Sequence, residues 1–231
     1  MDWREIHDSQ AEGRFYWQGR PLFKTFKSLL KFHEPGLAPV EDESGWYHIT
    51  AAGNALYPER YKRAFGYYCG FAAVVSDCGC FHIDTQGRPL YDDRYDWCGN
   101  YQENYCAVRS DDGYFHIDAR GGRLYPDNYC YAGDFRDGIA CVKCKDGFWR
   151  HINSHGEFIN NASFLDIGVF HKNIATARDE DGWFHCNMKG IPLYRERYLY
   201  VEPFYNGFAL VARFDKTKCV IDEHGQIVLD V

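Results

Sequence analysis

The 231-residue sequence predicts an all-β fold built from tandem repeats, and three observations carry that prediction. The phrases GWYHI, GCFHID, GYFHID, GFWRHIN and GWFHCN place His48, His82, His116, His151 and His185 at spacings of 34 or 35 residues. Such a fixed period is the signature of stacked structural units. Glycine recurs in step with it. Gly53, Gly87, Gly121, Gly156 and Gly190 each follow a histidine by five residues. The composition agrees, with 22 Gly, 18 Tyr and 17 Phe against 2 Met. Short strands rich in aromatics and punctuated by glycine turns have this composition.

The elements of one unit follow in order. A marker lies 17 residues after each of those glycines and after Gly19: Gly36, Gly70, Asn104, Gly138, Asn173 and Gly207. Glycine and asparagine tolerate positive φ best, so their exchange here predicts a left-handed backbone position. Alternating small and branched residues come next, as in Ala72/Val74, Ala140/Val142 and Ala209/Val211. A period of two predicts a strand with one buried face. An acidic turn such as Asp111-Asp112-Gly113 then leads into the aromatic-His-Ile strand, closing a hairpin. A third short strand is expected after the next glycine, in RPLF (20–23), RPLY (88–91), GRLY (122–125) and IPLY (191–194).

One unit of this length cannot bury its apolar face alone, whereas stacked units share a core. Residues 1–13 are expected to form an N-terminal cap outside the repeat. Residues 14–231 are expected to form one β-repeat domain, a partial repeat plus six units. Three strands in ~34 residues are lean for a propeller blade, which normally has four. The expected architecture is therefore an open β superhelix of hairpins, with a six-bladed β-propeller as the alternative.

The repeat resembles the bacterial WG-repeat proteins. The matching residues are Gly70, Ala72, Val74, Gly79, Phe81, Ile83, Asp84 and Gly87. They recur as Asn104, Val108, Gly113, Phe115, Ile117, Asp118 and Gly121. The likeness covers about residues 14–230. The Trp-Gly dipeptide is absent, and histidine precedes the isoleucine, so the chain resembles a His-rich variant. The resemblance implies a β-repeat fold and a binding role.

The histidine row has two readings, a set of imidazoles that holds metal or acidic groups and a structural ladder between units. Five copies at one repeat position favour the ladder. Zinc needs three or four ligands about 2.0–2.3 Å from one ion, which a row of repeats does not supply by itself. No metal site, cofactor or catalytic residue is predicted. The ten cysteines scatter across core-like repeat positions, and Cys141-Val142-Lys143-Cys144 lacks a second ligand pair. Phosphate-cradling glycine loops, a GxSxG elbow and an HExxH helix are absent.

Aromatic residues beyond the repeat requirement, Tyr67, Tyr68, Trp97, Tyr101 and Tyr105, are the candidate binding residues, with packing between units as the other reading. A net charge of −7 argues against general nucleic-acid binding. No apolar run approaches a membrane span, and MDWREIHDSQ has no apolar signal core. The expectation is a noncatalytic cytoplasmic scaffold that binds another protein or macromolecule. The alternative is an enzyme, or a propeller that binds a small ligand or glycan in an axial pocket.

Overall fold

The computed structural model describes residues 1–231. Twenty-two short strands form seven small antiparallel sheets. The chain divides into two compact units, residues 1–112 with 116–123 and residues 113–115 with 124–231.

The first unit opens with a sheet of β1 (Ile6–Ser9), β2 (Arg14–Trp17) and β3 (Arg20–Leu22). Next come β4 (Ser28–Leu29), β5 (Leu37–Asp42) and β6 (Gly45–Thr50). The third sheet is β7 (Arg63–Tyr68), β8 (Phe71–Ser76) and β9 (Gly79–Ile83). The fourth is β10 (Trp97–Cys98), β11 (Tyr105–Ser110) and β12 (Gly113–Asp118), and the boundary between units runs through β12.

The second unit holds β13 (Tyr131–Ala132), β14 (Ile139–Lys143) and β15 (Trp149–Asn153). It continues with β16 (Asp166–Ile167), β17 (Ile174–Asp179) and β18 (Gly182–Asn187). Its last sheet has four strands, β19 (Tyr200–Val201), β20 (Phe208–Ala212), β21 (Lys218–Asp222) and β22 (Ile227–Asp230). No helix is long and apolar enough to cross a membrane.

Period-two alternation buries one face of each hairpin. In the third sheet Ala72 faces Ile83 and Val74 faces Phe81, all with almost no exposure. The turn into this hairpin strand needs two consecutive left-handed residues, the type I′ geometry that matches strand twist. Cys69 and Gly70 have φ of 51° and 83°, and Glu103 and Asn104 have 52° and 68°. Lys172 and Asn173 repeat this at 50° and 66°. Asparagine therefore replaces glycine where a modest steric cost is tolerated.

Four expectations need correction. The open β superhelix is replaced by separate small sheets, in which each named strand pairs only within its own sheet. The sheets number seven, so the six-bladed alternative is also one short. Residues 1–13 are not outside the repeat, because Ile6–Ser9 pairs with β2 in the register Ile6↔Trp17 to Ser9↔Arg14. The third strand of most sheets also precedes the hairpin instead of following it. The segments after the repeat glycine make only single bridges, Ile83↔Pro89, Ile117↔Arg123 and Cys186↔Pro192. The chain turns there so that the tyrosine ending the segment, Tyr91, Tyr125 or Tyr194, is buried. Only RPL in β3 and the terminal β22 become strands there.

Candidate functional site

The histidines occupy the interior. His48, His82, His116 and His185 are fully buried and His151 nearly so. His48 Nε2 lies 2.8 Å from the Phe65 carbonyl, His82 Nε2 2.9 Å from that of Gly99, and His185 Nε2 2.8 Å from that of Glu202. A carbonyl only accepts, so Nε2–H is the donor. Nδ1 of the neutral ring is then an acceptor, and the hydroxyl of Tyr57, Tyr91 or Tyr194 respectively donates to it. Each imidazole thus joins a tyrosine nine residues on to a carbonyl seventeen residues on. Burial drives the pKa of His48, His82 and His185 down to about 4, and the carbonyl bond opposes this only in part. These rings are neutral and have both nitrogens engaged, so they are not available to ligate a metal or bind an acid.

An aromatic ring nineteen residues on packs against each imidazole. The centroids are 4.8 Å apart for His48–Tyr67, 4.7 Å for His82–Tyr101, 4.2 Å for His151–Phe170 and 4.1 Å for His185–Phe204. The repeat glycine accommodates the next contact. A Cβ on Gly121 or Gly225 would sit 2.7 or 2.6 Å from Tyr91 or Tyr194, too close for any side chain. His151 departs from this scheme. It donates to the Gly168 carbonyl at 2.9 Å, but Asn160 stands where the tyrosine would be and donates to the Met188 carbonyl instead.

The repeated arginines hold the adjoining turn. Arg60 Nη1 donates to the carbonyls of Tyr57, Pro58 and Glu59, and its guanidinium lies 3.8 Å from the Tyr47 ring centroid. Arg94 does the same to the carbonyls of Tyr91, Asp92 and Asp93 while stacking on Phe81 at 3.7 Å. The planar guanidinium suits both contacts at once.

The candidate binding aromatics do not form one face. Tyr67 and Tyr101 are buried, and their hydroxyls donate to the carbonyls of Asp84 (3.0 Å) and Asp118 (2.9 Å). These two are corrected to interior positions, because their repeat place is the ring that packs on the imidazole. Trp97 is exposed, Tyr105 is half-buried in β11, and Tyr68 is half-buried against His33.

The exposed apolar surface lies elsewhere. Of the exposed large hydrophobic side chains, only Met1 and Trp97 belong to the first unit. The second unit carries the rest, densest in its last sheet: Tyr200, Tyr205, Phe208, Phe214 and Ile227–Leu229. Tyr205 is 76% exposed and bridges Phe208 through paired backbone bonds. It borders a cleft of about 300 Å³ with Val169 and Phe204, while Leu199 and Phe214 border another of about 270 Å³. This surface is the candidate functional site. The sequence held a signal for it, because Phe204-Tyr205 repeats the Tyr67-Tyr68 doublet four periods later.

No group of three His, Cys, Asp or Glu side chains is placed to hold a metal ion. The ten cysteines form no disulfide. Cys141 is buried, its pKa is pushed up to about 12, and its thiol donates to the Gly168 carbonyl at 3.4 Å. A reactive CxxC needs the opposite shift.

Seven small antiparallel sheets in an all-β chain define a β-propeller-like architecture, and comparison with known proteins agrees. A family model described as WG containing repeat matches residues 83–114, one repeat's length. No curated protein matches the chain. A eukaryotic initiation factor has a similar fold at TM-score 0.57 and 10% identity, covering 91% of this chain and 66% of that one. The computationally designed Ika8 protein matches at TM-score 0.53 and 14% identity, covering 98% and 85%. BamB from Moraxella catarrhalis matches at TM-score 0.52 and 13% identity, covering 95% and 76%. At these identities the likeness is one of fold. It overturns the open superhelix expected from unit length.

Proposed function

We propose that the chain is a noncatalytic binding module that docks another protein through the apolar surface of its second unit. The observation that carries this reading is the placement of the exposed aromatic and aliphatic side chains. In the first unit only Met1 and Trp97 among the large hydrophobics are exposed, while the second turns Tyr205, Phe208, Phe214 and the β22 residues outward. Exposed apolar patches of this kind mark interaction sites, and aromatic side chains are the usual anchors. A noncatalytic role is supported by the buried histidines, each engaged as a hydrogen-bonding element of the scaffold. A reducing compartment suits ten thiols without a disulfide, and forms part of the proposal.

The test is capture from native lysate on the immobilised chain, with the bound protein identified by mass spectrometry. A single partner retained by the wild type and lost with Tyr205→Ser/Phe208→Ser supports the reading. Equal retention by that double variant refutes it.

A further inference from the structure

The first unit has one place where the repeat departs from its own rule. The ring that packs on a buried imidazole recurs as Tyr67, Tyr101, Phe170 and Phe204, yet one period before Tyr67 the chain carries His33. His33 faces Tyr68, with centroids 5.0 Å apart. Gly66 leaves room for it, since a Cβ there would lie 2.5 Å from His33 Nε2. The strand beneath is also exceptional. β7 runs six residues where β4, β10, β13, β16 and β19 run two, and its register shifts between Ala64 and Tyr67. Such a bulge re-aims the chain and is common beside functional sites.

These departures meet in a cleft of about 310 Å³, whose polar lining is Asp8, Gln10, Lys31, His33, Tyr68 and Asn100. None of these six side chains makes a hydrogen bond or ion pair within the chain. The contrast with the ladder is sharp, because His48 and His82 engage both ring nitrogens. The charges of Asp8 and Lys31 offset each other. Burial and the charge of Lys31 hold His33 below the usual histidine range, so the imidazole is neutral at pH 7. The cleft therefore offers no net charge to select an ion. It offers acceptors on Asp8, donors on Lys31, and both on the Gln10 and Asn100 amides. A hydroxyl is also both donor and acceptor, so a polyol satisfies such a mixed set. Tyr68, Phe65 and Leu30 supply the apolar part of the lining, and aromatic rings attract the slightly positive C–H groups of a sugar ring. The volume lies at the small end of ligand clefts, the size for a single ring.

We propose that this cleft binds a neutral saccharide unit, a hexose free in solution or at the end of a glycan. The proposal is independent of protein docking by the second unit.

The experiment titrates the full chain with glucose, galactose, mannose and N-acetylglucosamine by ligand-observed NMR and calorimetry. Inorganic phosphate and glycine are the ionic and zwitterionic probes, and the same sugars are displayed on a glycan array. The expected result is binding of at least one sugar, weakened about tenfold or more by Tyr68→Ala and by Asn100→Ala. Binding on the array alone assigns the glycan end as the source, and binding of the free sugar as well includes both; either supports the proposal. Asn100 makes no intramolecular side-chain bond, so Asn100→Ala decides the matter if Tyr68→Ala fails to fold. No response from any sugar in either format overturns the proposal. So does sugar binding that Asn100→Ala leaves undiminished, or phosphate or glycine binding tighter than every sugar.

Discussion

The two units share one repeat and use it differently. In the first, His48 and His82 each hold a tyrosine and a carbonyl, and only Met1 and Trp97 among the large apolar side chains are exposed. In the second, His185 keeps both partners, His151 has lost its tyrosine to Asn160, and the last sheet turns its apolar side chains outward. The histidine positions that link one sheet to the next stay nearly constant, while those that meet solvent diverge. Scaffold and proposed docking surface can therefore be separated by substitution.

Acid should produce the largest effect. The folded-state pKa of His48, His82 and His185 is about 4, below the ordinary value of 6.5. Protons then prefer the unfolded chain. Stability is full above about pH 6.5 and falls as pH drops toward 4, by about 1.4 kcal/mol per pH unit for each histidine. Urea midpoints at pH 7.5, 6 and 5 should decline steeply below 6.5 and stay flat above it. A flat profile down to pH 5 would mean the rings are solvated.

His82→Ala comes next. It strands the Tyr91 hydroxyl and the Gly99 carbonyl and leaves a cavity, at a cost of about 3–5 kcal/mol in urea unfolding. His151→Ala sharpens the comparison, because no tyrosine is stranded and the Gly168 carbonyl keeps the Cys141 thiol as a donor. Its cost should be smaller, about 2 kcal/mol. Equal losses for the two variants would show that the tyrosine bond contributes nothing. Tyr91→Phe isolates that bond by leaving Nδ1 of His82 without a donor, at about 1–2 kcal/mol.

Tyr205→Ser should have the smallest effect on folding, within about 0.5 kcal/mol, because the ring is mostly in solvent. A large destabilisation there would place the ring in the core and remove it from the docking surface.

Much of the scaffold was legible in the sequence. The 34-residue period located all five histidines, the alternation located the buried faces of Ala72/Val74 and Ala140/Val142, and the Gly/Asn exchange located the left-handed turns. Strand order was not legible. RPLF forms a strand at 20–22 but RPLY does not at 88–91, where Tyr91 bonds His82, a contact fixed only in the fold. The assembly of sheets was also hidden, because unit length alone does not distinguish a superhelix from a propeller-like set of sheets. Tyr67 and Tyr68 illustrate the limit for sites. They are adjacent in sequence, but strand alternation buries the first against His48 and leaves the second beside His33. The Phe204-Tyr205 doublet repeats Tyr67-Tyr68, but sequence does not show that Tyr205 is exposed where Tyr68 is half-buried.

The central claim is that the histidine ladder holds the scaffold while the second unit's apolar surface binds. Quantitative partner capture at low temperature, compared across His82→Ala, Tyr205→Ser/Phe208→Ser and wild type, tests it most directly. The account predicts that His82→Ala captures the partner at the wild-type level despite its lowered urea midpoint, and that the double variant captures none while unfolding like wild type. Capture lost with His82→Ala in a folded chain, and kept by the double variant, would contradict it.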